Sequence, residues 1–235
     1  MNSARPATLV IATHNAHKVT EIRAILGGGI SCLTLNDFPG APEVVEDANS
    51  FAGNATKKAV TLAKWISDQP SNPILSTISL VLADDSGLEV DALGGAPGIQ
   101  SARFAALDSG KPGNSSTADN NAKLLRLLTN VPMEQRKARF RCVIAMTPVL
   151  RDRIESASPV CYADEFEMQT QCCEGTCEGR IQSMPSGLGG FGYDPLFIPE
   201  GFKQSFAELG EETKNQISHR AKALQKLKRL LNQNS

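Results

Sequence analysis

Apolar positions along this chain switch between runs that suit a strand and spacings that suit a helix. Residues 8–12 (TLVIA) form a short, β-branched apolar run, which predicts a strand buried on both faces. A polar turn (THNAHK) follows, and from Lys18 the apolar residues Val19, Ile22, Ile25 and Leu26 share one helical face until Gly27, Gly28 and Gly29 stop it. Residues 31–35 predict a second strand, and Pro39, Gly40 and Pro42 then impose a loop that leads to the acidic residues Glu43, Glu46 and Asp47. Residues 51–65 predict a helix. Residues 68–79 predict a surface excursion, and residues 80–83 a strand with DDSG directly after it. A polar start giving way to a leucine-rich face predicts a helix over residues 115–128, and residues 138–146 a strand. Residues 151–178 show no clear period and read as an irregular insertion or a strand pair. A glycine-rich loop spans residues 186–194, and a helix with a basic face closes the chain over residues 218–231. Alternating strands and helices favour an α/β sheet.

Composition narrows the class. The chain has 235 residues, with 24 Lys and Arg against 25 Asp and Glu. That length buries a core without a disulfide or metal staple. The charge balance argues against a non-specific binder of nucleic acid polymers, which needs a basic excess to displace counterions. No apolar run reaches the roughly 20 residues that span a bilayer, and the opening apolar stretch is too short for a secretory signal. The expectation is a soluble, cytoplasmic protein with free thiols. Cys172, Cys173 and Cys177 have some metal character, but no Cys-x-x-Cys pair and no nearby His completes a zinc site.

Three groups can carry chemistry, each beside a plainer reading. Thr13, Asn15 and Lys18 sit where a buried strand opens a helix, and free backbone N–H groups and the helix dipole there favour an anion. An ordinary N-cap with a solvated lysine accounts for the same residues. Asp84 and Asp85 leave an apolar strand together, with side chains expected on opposite faces. Asp85, with Glu46, offers hard oxygen ligands to Mg2+, whereas the plainer reading is a turn with Ser86 and Gly87. Phe191, between Gly190 and Gly192 and followed by Tyr193 and Asp194, puts an aromatic face on a loop suited to stacking on a base, or is an ordinary core aromatic. Asp194, His219 and Arg220 offer polar groups to a base edge, or serve as a helix cap and a solvated cationic face.

Taken together these residues resemble the inosine triphosphate pyrophosphatase family, nearly end to end. The matching blocks are T-x-N-x-x-K (Thr13, Asn15, Lys18) and E-x-x-x-[ST]-F-x-x-N-A-x-x-K (Glu46, Ser50, Phe51, Asn54, Lys58). They continue with DDSGLEVDALGGAPGIQSAR over residues 84–103, GGFGYDPLF over residues 189–197, AEL over residues 207–209, and K-x-x-x-S-H-R (Lys214, Ser218, His219, Arg220). The resemblance implies one domain over residues 1–235, an elongated two-lobed α/β fold around a long mixed sheet, and a nucleotide cleft between the lobes. It implies a homodimer that hydrolyses ITP, dITP and XTP to the monophosphate and pyrophosphate with Mg2+, clearing deaminated purines from the nucleotide pool.

Carried over by residue, the resemblance assigns Thr13, Asn15, Lys18 and Lys58 to the triphosphate, and Glu46 and Asp85 to the metal. Asp85 would also orient or deprotonate the attacking water. Phe191 would stack on the purine within the loop Gly192, Tyr193 and Asp194, with Lys214, His219 and Arg220 at its edge and Ser86 near the phosphates or sugar. His14, Ala48 and Gly53 depart from the family's usual Gly or Ser, Gly, and acidic residue. Residues 68–79 and 156–177 read as insertions. A nucleotide-binding regulatory module that has lost catalysis is the alternative.

Overall fold

The computed structural model describes residues 8–69, 71–108, 110, 113–151 and 164–233. Among them are six strands, β1 (Thr8–Ile11), β2 (Ser31–Thr34), β3 (Ile78–Val90), β4 (Lys137–Pro148), β5 (Gln171–Ile181) and β6 (Phe197–Pro199). The α-helices among them are α1 (Ala16–Leu26), α2 (Phe51–Ser67), α3 (Thr117–Leu127), α4 (Glu165–Gln169), α5 (Phe206–Ile217) and α6 (His219–Gln233). The strands form one sheet in the order β2-β1-β3-β4-β5-β6. It is mixed: β1 runs parallel to both β2 and β3, and β5 pairs antiparallel with β6. The expected α/β class is therefore the observed one.

The described residues divide between two compact units, one drawn from Met1–Asp85, Val143–Cys173 and Leu230–Ser235, the other from Ser86–Cys142 and Glu174–Arg229. In the first, β1 is buried along nearly its whole length, as a central parallel strand with two covered faces must be. The buried face of α2 carries Ala55, Ala59, Leu62, Ala63 and Ile66, and α2 packs against the short helix α4. The second unit has its own core, in which Phe140 meets Phe197 at 4.7 Å between ring centroids and Phe197 meets Phe206 at 5.3 Å.

Two expectations change. The strand expected over residues 80–83 runs instead from Ile78 to Val90, so the DDSG residues lie inside β3 rather than in a turn after it. Polar residues are tolerated there because long-range partners satisfy them. The segment 151–178 contains α4 and most of one long strand, β5, which carries Cys172, Cys173 and Cys177. Residues 152–163, with Cys161, lie outside the described residues. Cys172 is exposed and Cys173 buried, as strand neighbours on opposite faces are, so these two do not converge on one ion.

Candidate functional site

In the first unit, the site begins where β1 hands over to α1. Asn15 is the helix N-cap: its side chain accepts from the Lys18 backbone N–H at 3.2 Å, while the Asn15 N–H donates to Thr13 Oγ1 at 3.2 Å. The first turn of α1 holds no acidic residue, so its positive end is not neutralised by the helix itself. The Lys18 ammonium pairs with Asp84, which is almost fully buried in β3.

Alternation along β3 sends Asp85 a different way, toward α2. There the Lys58 ammonium donates to the Asp84 carbonyl at 2.7 Å, to Glu46 Oε1 at 3.2 Å and to Asp85 Oδ1 at 3.4 Å. Burial works against the charged form of Lys58, yet the carboxylates of Asp85, Glu46 and Asp84 outweigh it and hold its pKa above the ordinary lysine value. Burial also pushes the Asp85 carboxyl up, against the pull of Lys58 and Lys18 and with the help of Glu46 and Asp84. One cation thus stands between two carboxylates from different elements, and that donor set is of the kind a hard divalent ion takes. Among the described residues no group of three or more His, Cys, Asp or Glu gathers to hold a metal. Two carboxylates completed by water and ligand oxygens suit Mg2+, which seldom uses an all-protein cage.

In the second unit, the glycine-rich loop is held by Asp194. Its Oδ2 accepts from the Phe191 N–H at 2.8 Å and from Lys214 Nζ at 2.5 Å, both acid and lysine being buried. Gly190, at φ +70°, has no alternative: a Cβ there would lie 2.2 Å from Asp194 Oδ2. Lys214 Nζ stands 4.5 Å from the centroid of the half-buried Phe191 ring, and Arg220 Cζ 5.9 Å from it. Asn121 donates to the Gly192 carbonyl at 3.2 Å, bracing the loop from α3.

The fully buried Arg220 donates to Ser86 Oγ at 2.9 Å, so two residues predicted separately are direct partners. The His219 ring stacks on Phe140, 4.8 Å between centroids. Tyr193 belongs to the hydrophobic core and its hydroxyl donates to the Ser101 carbonyl at 2.9 Å, so its side chain is engaged inward. The structure therefore gathers Thr13, Asn15, Lys18, Glu46, Lys58 and Asp85 in one unit. Ser86, Phe191, Gly192, Tyr193, Asp194, Lys214, His219 and Arg220 lie in the other. The sequence alone does not mark Asp84 as the partner of Lys18, or Asn54, whose side chain donates to Asp85. The doubled aspartate was the signal for the first; the second had none beyond its place in a motif.

The fold and these residues define an α/β protein with a lysine–carboxylate cluster drawn from α1, α2, β3 and the loop before α2, and a cation–aromatic loop. The chain belongs to the Ham1 family, whose model matches residues 9–230. It is 48% identical to a dITP/XTP pyrophosphatase of Desulforamulus reducens over 225 residues, 95% of each chain. It is also similar to the solved structure of the Staphylococcus aureus Ham1 protein, at 32% identity and a TM-score of 0.74, covering 97% of this chain and 100% of that one. A HAM1 protein from Coxiella burnetii gives a TM-score of 0.73 at 32% identity, covering 97% and 99%.

Proposed function

We propose that this chain hydrolyses the triphosphates of deaminated purine nucleosides, dITP, XTP and ITP, to the monophosphate and pyrophosphate. Relatives named dITP/XTP pyrophosphatase, one of them 48% identical to this chain, support the reading. The observation in this chain that carries it is Lys58, held between Glu46 and Asp85 beside Lys18 and Asp84.

In this reading Glu46 and Asp85 hold Mg2+, which when bound supplies positive charge against the phosphate oxygens. Thr13, Asn15, Lys18 and Lys58 bind the triphosphate and neutralise charge that builds on the leaving group. Asp85 orients a water toward the α-phosphorus and takes its proton. The water oxygen bonds to phosphorus, the bond to the bridging oxygen of the β-phosphate breaks, and pyrophosphate leaves with that electron pair. Phe191 stacks on the base. Arg220 faces the 6-oxo group of hypoxanthine or xanthine, which accepts hydrogen bonds from a guanidinium where the adenine amino group can only donate them. The homodimer that the resemblance implies and the cytoplasmic location expected from the sequence go with this reading.

Pyrophosphate release measured as kcat/KM over a panel of dITP, XTP, ITP, dATP and dGTP, with and without Mg2+, tests it. The expected result is strong preference for the first three and no release without the metal. Asp85→Asn is expected to abolish turnover while its circular dichroism stays that of the wild type. Near wild-type turnover in that variant would remove Asp85 from the chemistry, and a flat panel would overturn the substrate class.

A further inference from the structure

We infer that Asn54 is a positioning residue, whose one side-chain amide sets the Asp85 carboxylate and the Glu46 loop in fixed register for the ion they hold. The inference rests on the proposed function for what those carboxylates bind. Asn54 lies in the first turns of α2 and is fully buried. Its Oδ1 accepts from the Ala48 backbone N–H at 3.0 Å, and its Nδ2 donates to Asp85 Oδ2 at 3.1 Å. The orientation of the amide is forced. A backbone N–H can only donate, so the oxygen must face Ala48, and the NH2 group must face Asp85.

Two consequences follow for the site. Asp85 gives Oδ2 to Asn54 and turns Oδ1 to Lys58, so the carboxylate cannot rotate without losing a buried bond. Ala48 closely follows Glu46 in the chain, so the bond that anchors its N–H also limits where Glu46 can swing. Partners of this kind behind a metal ligand, when removed, cost about 10- to 100-fold in metal affinity or activity. Ser50 already caps α2, accepting from the Gly53 N–H at 3.0 Å, so Asn54 is not needed as its N-cap.

Two variants of the full chain separate positioning from simple stability. Asn54→Asp keeps the size and the acceptor for Ala48 but places an oxygen against Asp85 Oδ2, while Asn54→Ala removes both contacts. Thr147→Val, which deletes the buried hydroxyl that meets Thr170 at 2.8 Å in the same unit, is the control for a lost buried hydrogen bond. Mn2+ binding to nucleotide-free protein is measured by calorimetric titration, beside kcat and KM for dITP and the melting temperature.

The expected result is a kcat lowered about 10- to 100-fold in both Asn54 variants with KM within about threefold, and Mn2+ affinity weakened about tenfold in Asn54→Ala. Thr147→Val should leave all three unchanged. Asn54 variants that melt lower but keep kcat and Mn2+ affinity would overturn the inference and leave a structural residue. If the wild type takes up Mn2+ yet releases no pyrophosphate, the proposed function fails and the Mn2+ titration alone decides Asn54. A wild type that takes up no Mn2+ overturns the inference, since Asn54 then has no site to set.

Discussion

Gly53 and Ala48 each depart from the pattern of the family this chain resembles, and the two departures have one cause. A Cβ built on Gly53 would lie 2.8 Å from the Ala48 Cβ and 3.2 Å from Ser50 Oγ. The methyl of Ala48 therefore occupies the room that a side chain at position 53 would need, and a glycine at position 48 would give that room back. Gly53→Glu is expected to destabilise the chain by about 1 to 3 kcal/mol, the usual cost of overpacking. In an Ala48→Gly background most of that loss should vanish, a coupling of about 0.5 to 3 kcal/mol in a double-mutant cycle followed by urea unfolding. Additive losses would show that the positions are independent. At this scale the sequence displayed both odd residues but not their relation, because it carries no distance across the loop that leads into α2.

The helix α5 ties a local signal to a distant loop. Ser205 and Glu208 form a capping box, the Ser205 N–H donating to Glu208 Oε2 at 2.8 Å and the Glu208 N–H to Ser205 Oγ at 3.3 Å. The same serine hydroxyl donates to the Ser186 carbonyl at 2.8 Å, and the Ser186 hydroxyl donates to Glu208 Oε2 at 2.8 Å. One cap thus anchors the start of the glycine-rich loop as well as the helix. Ser205→Ala removes the cap and takes the donor away from the half-buried Ser186 carbonyl, which should cost about 1 to 2 kcal/mol in denaturant unfolding. A loss of only a few tenths would mean the loop is held elsewhere. The S-x-x-E spacing was present in the sequence, although no helix was predicted there. Conversely, β3 was predicted too short. Periodicity stops at Ala83, while Asp84, Asp85 and Ser86 stay extended because Lys18, Lys58, Asn54 and Arg220 reach them.

Across the molecule, burial of ionisable groups predicts how stability responds to alkali. Burial pushes the Cys177 thiol from its ordinary 9.0 up to about 11, and pushes the Tyr193 hydroxyl up as well. Below pH 9 the Cys177 thiol is neutral in both folded and unfolded chains, so its contribution is fully present. As pH rises from 9.0 toward about 11 the unfolded chain ionises and the folded one does not, so stability falls. The effect of this one group is of order 2 to 3 kcal/mol. Melting temperature is expected to drop over that window, less steeply in Cys177→Ala, and an equal slope in both would remove the thiol as a cause. Exposed Cys172 should be alkylated well before Cys177 at pH 8.

By itself the sequence determined the α/β class, most strand and helix positions, the family, and which residues are the candidates for holding phosphate, metal and base. Those properties are written within a few positions of one another, in periodicity, caps and short motifs. Only the tertiary structure decided the partners: Lys18 with Asp84, Asn54 and Lys58 with Asp85, Lys214 with Asp194, and Arg220 with Ser86. Asn54 and Asp85 are 31 positions apart and Arg220 and Ser86 are 134 apart. A helix or strand pattern reaches four residues at most, so a hydrogen bond of this span comes into being only when the sheet brings its ends together.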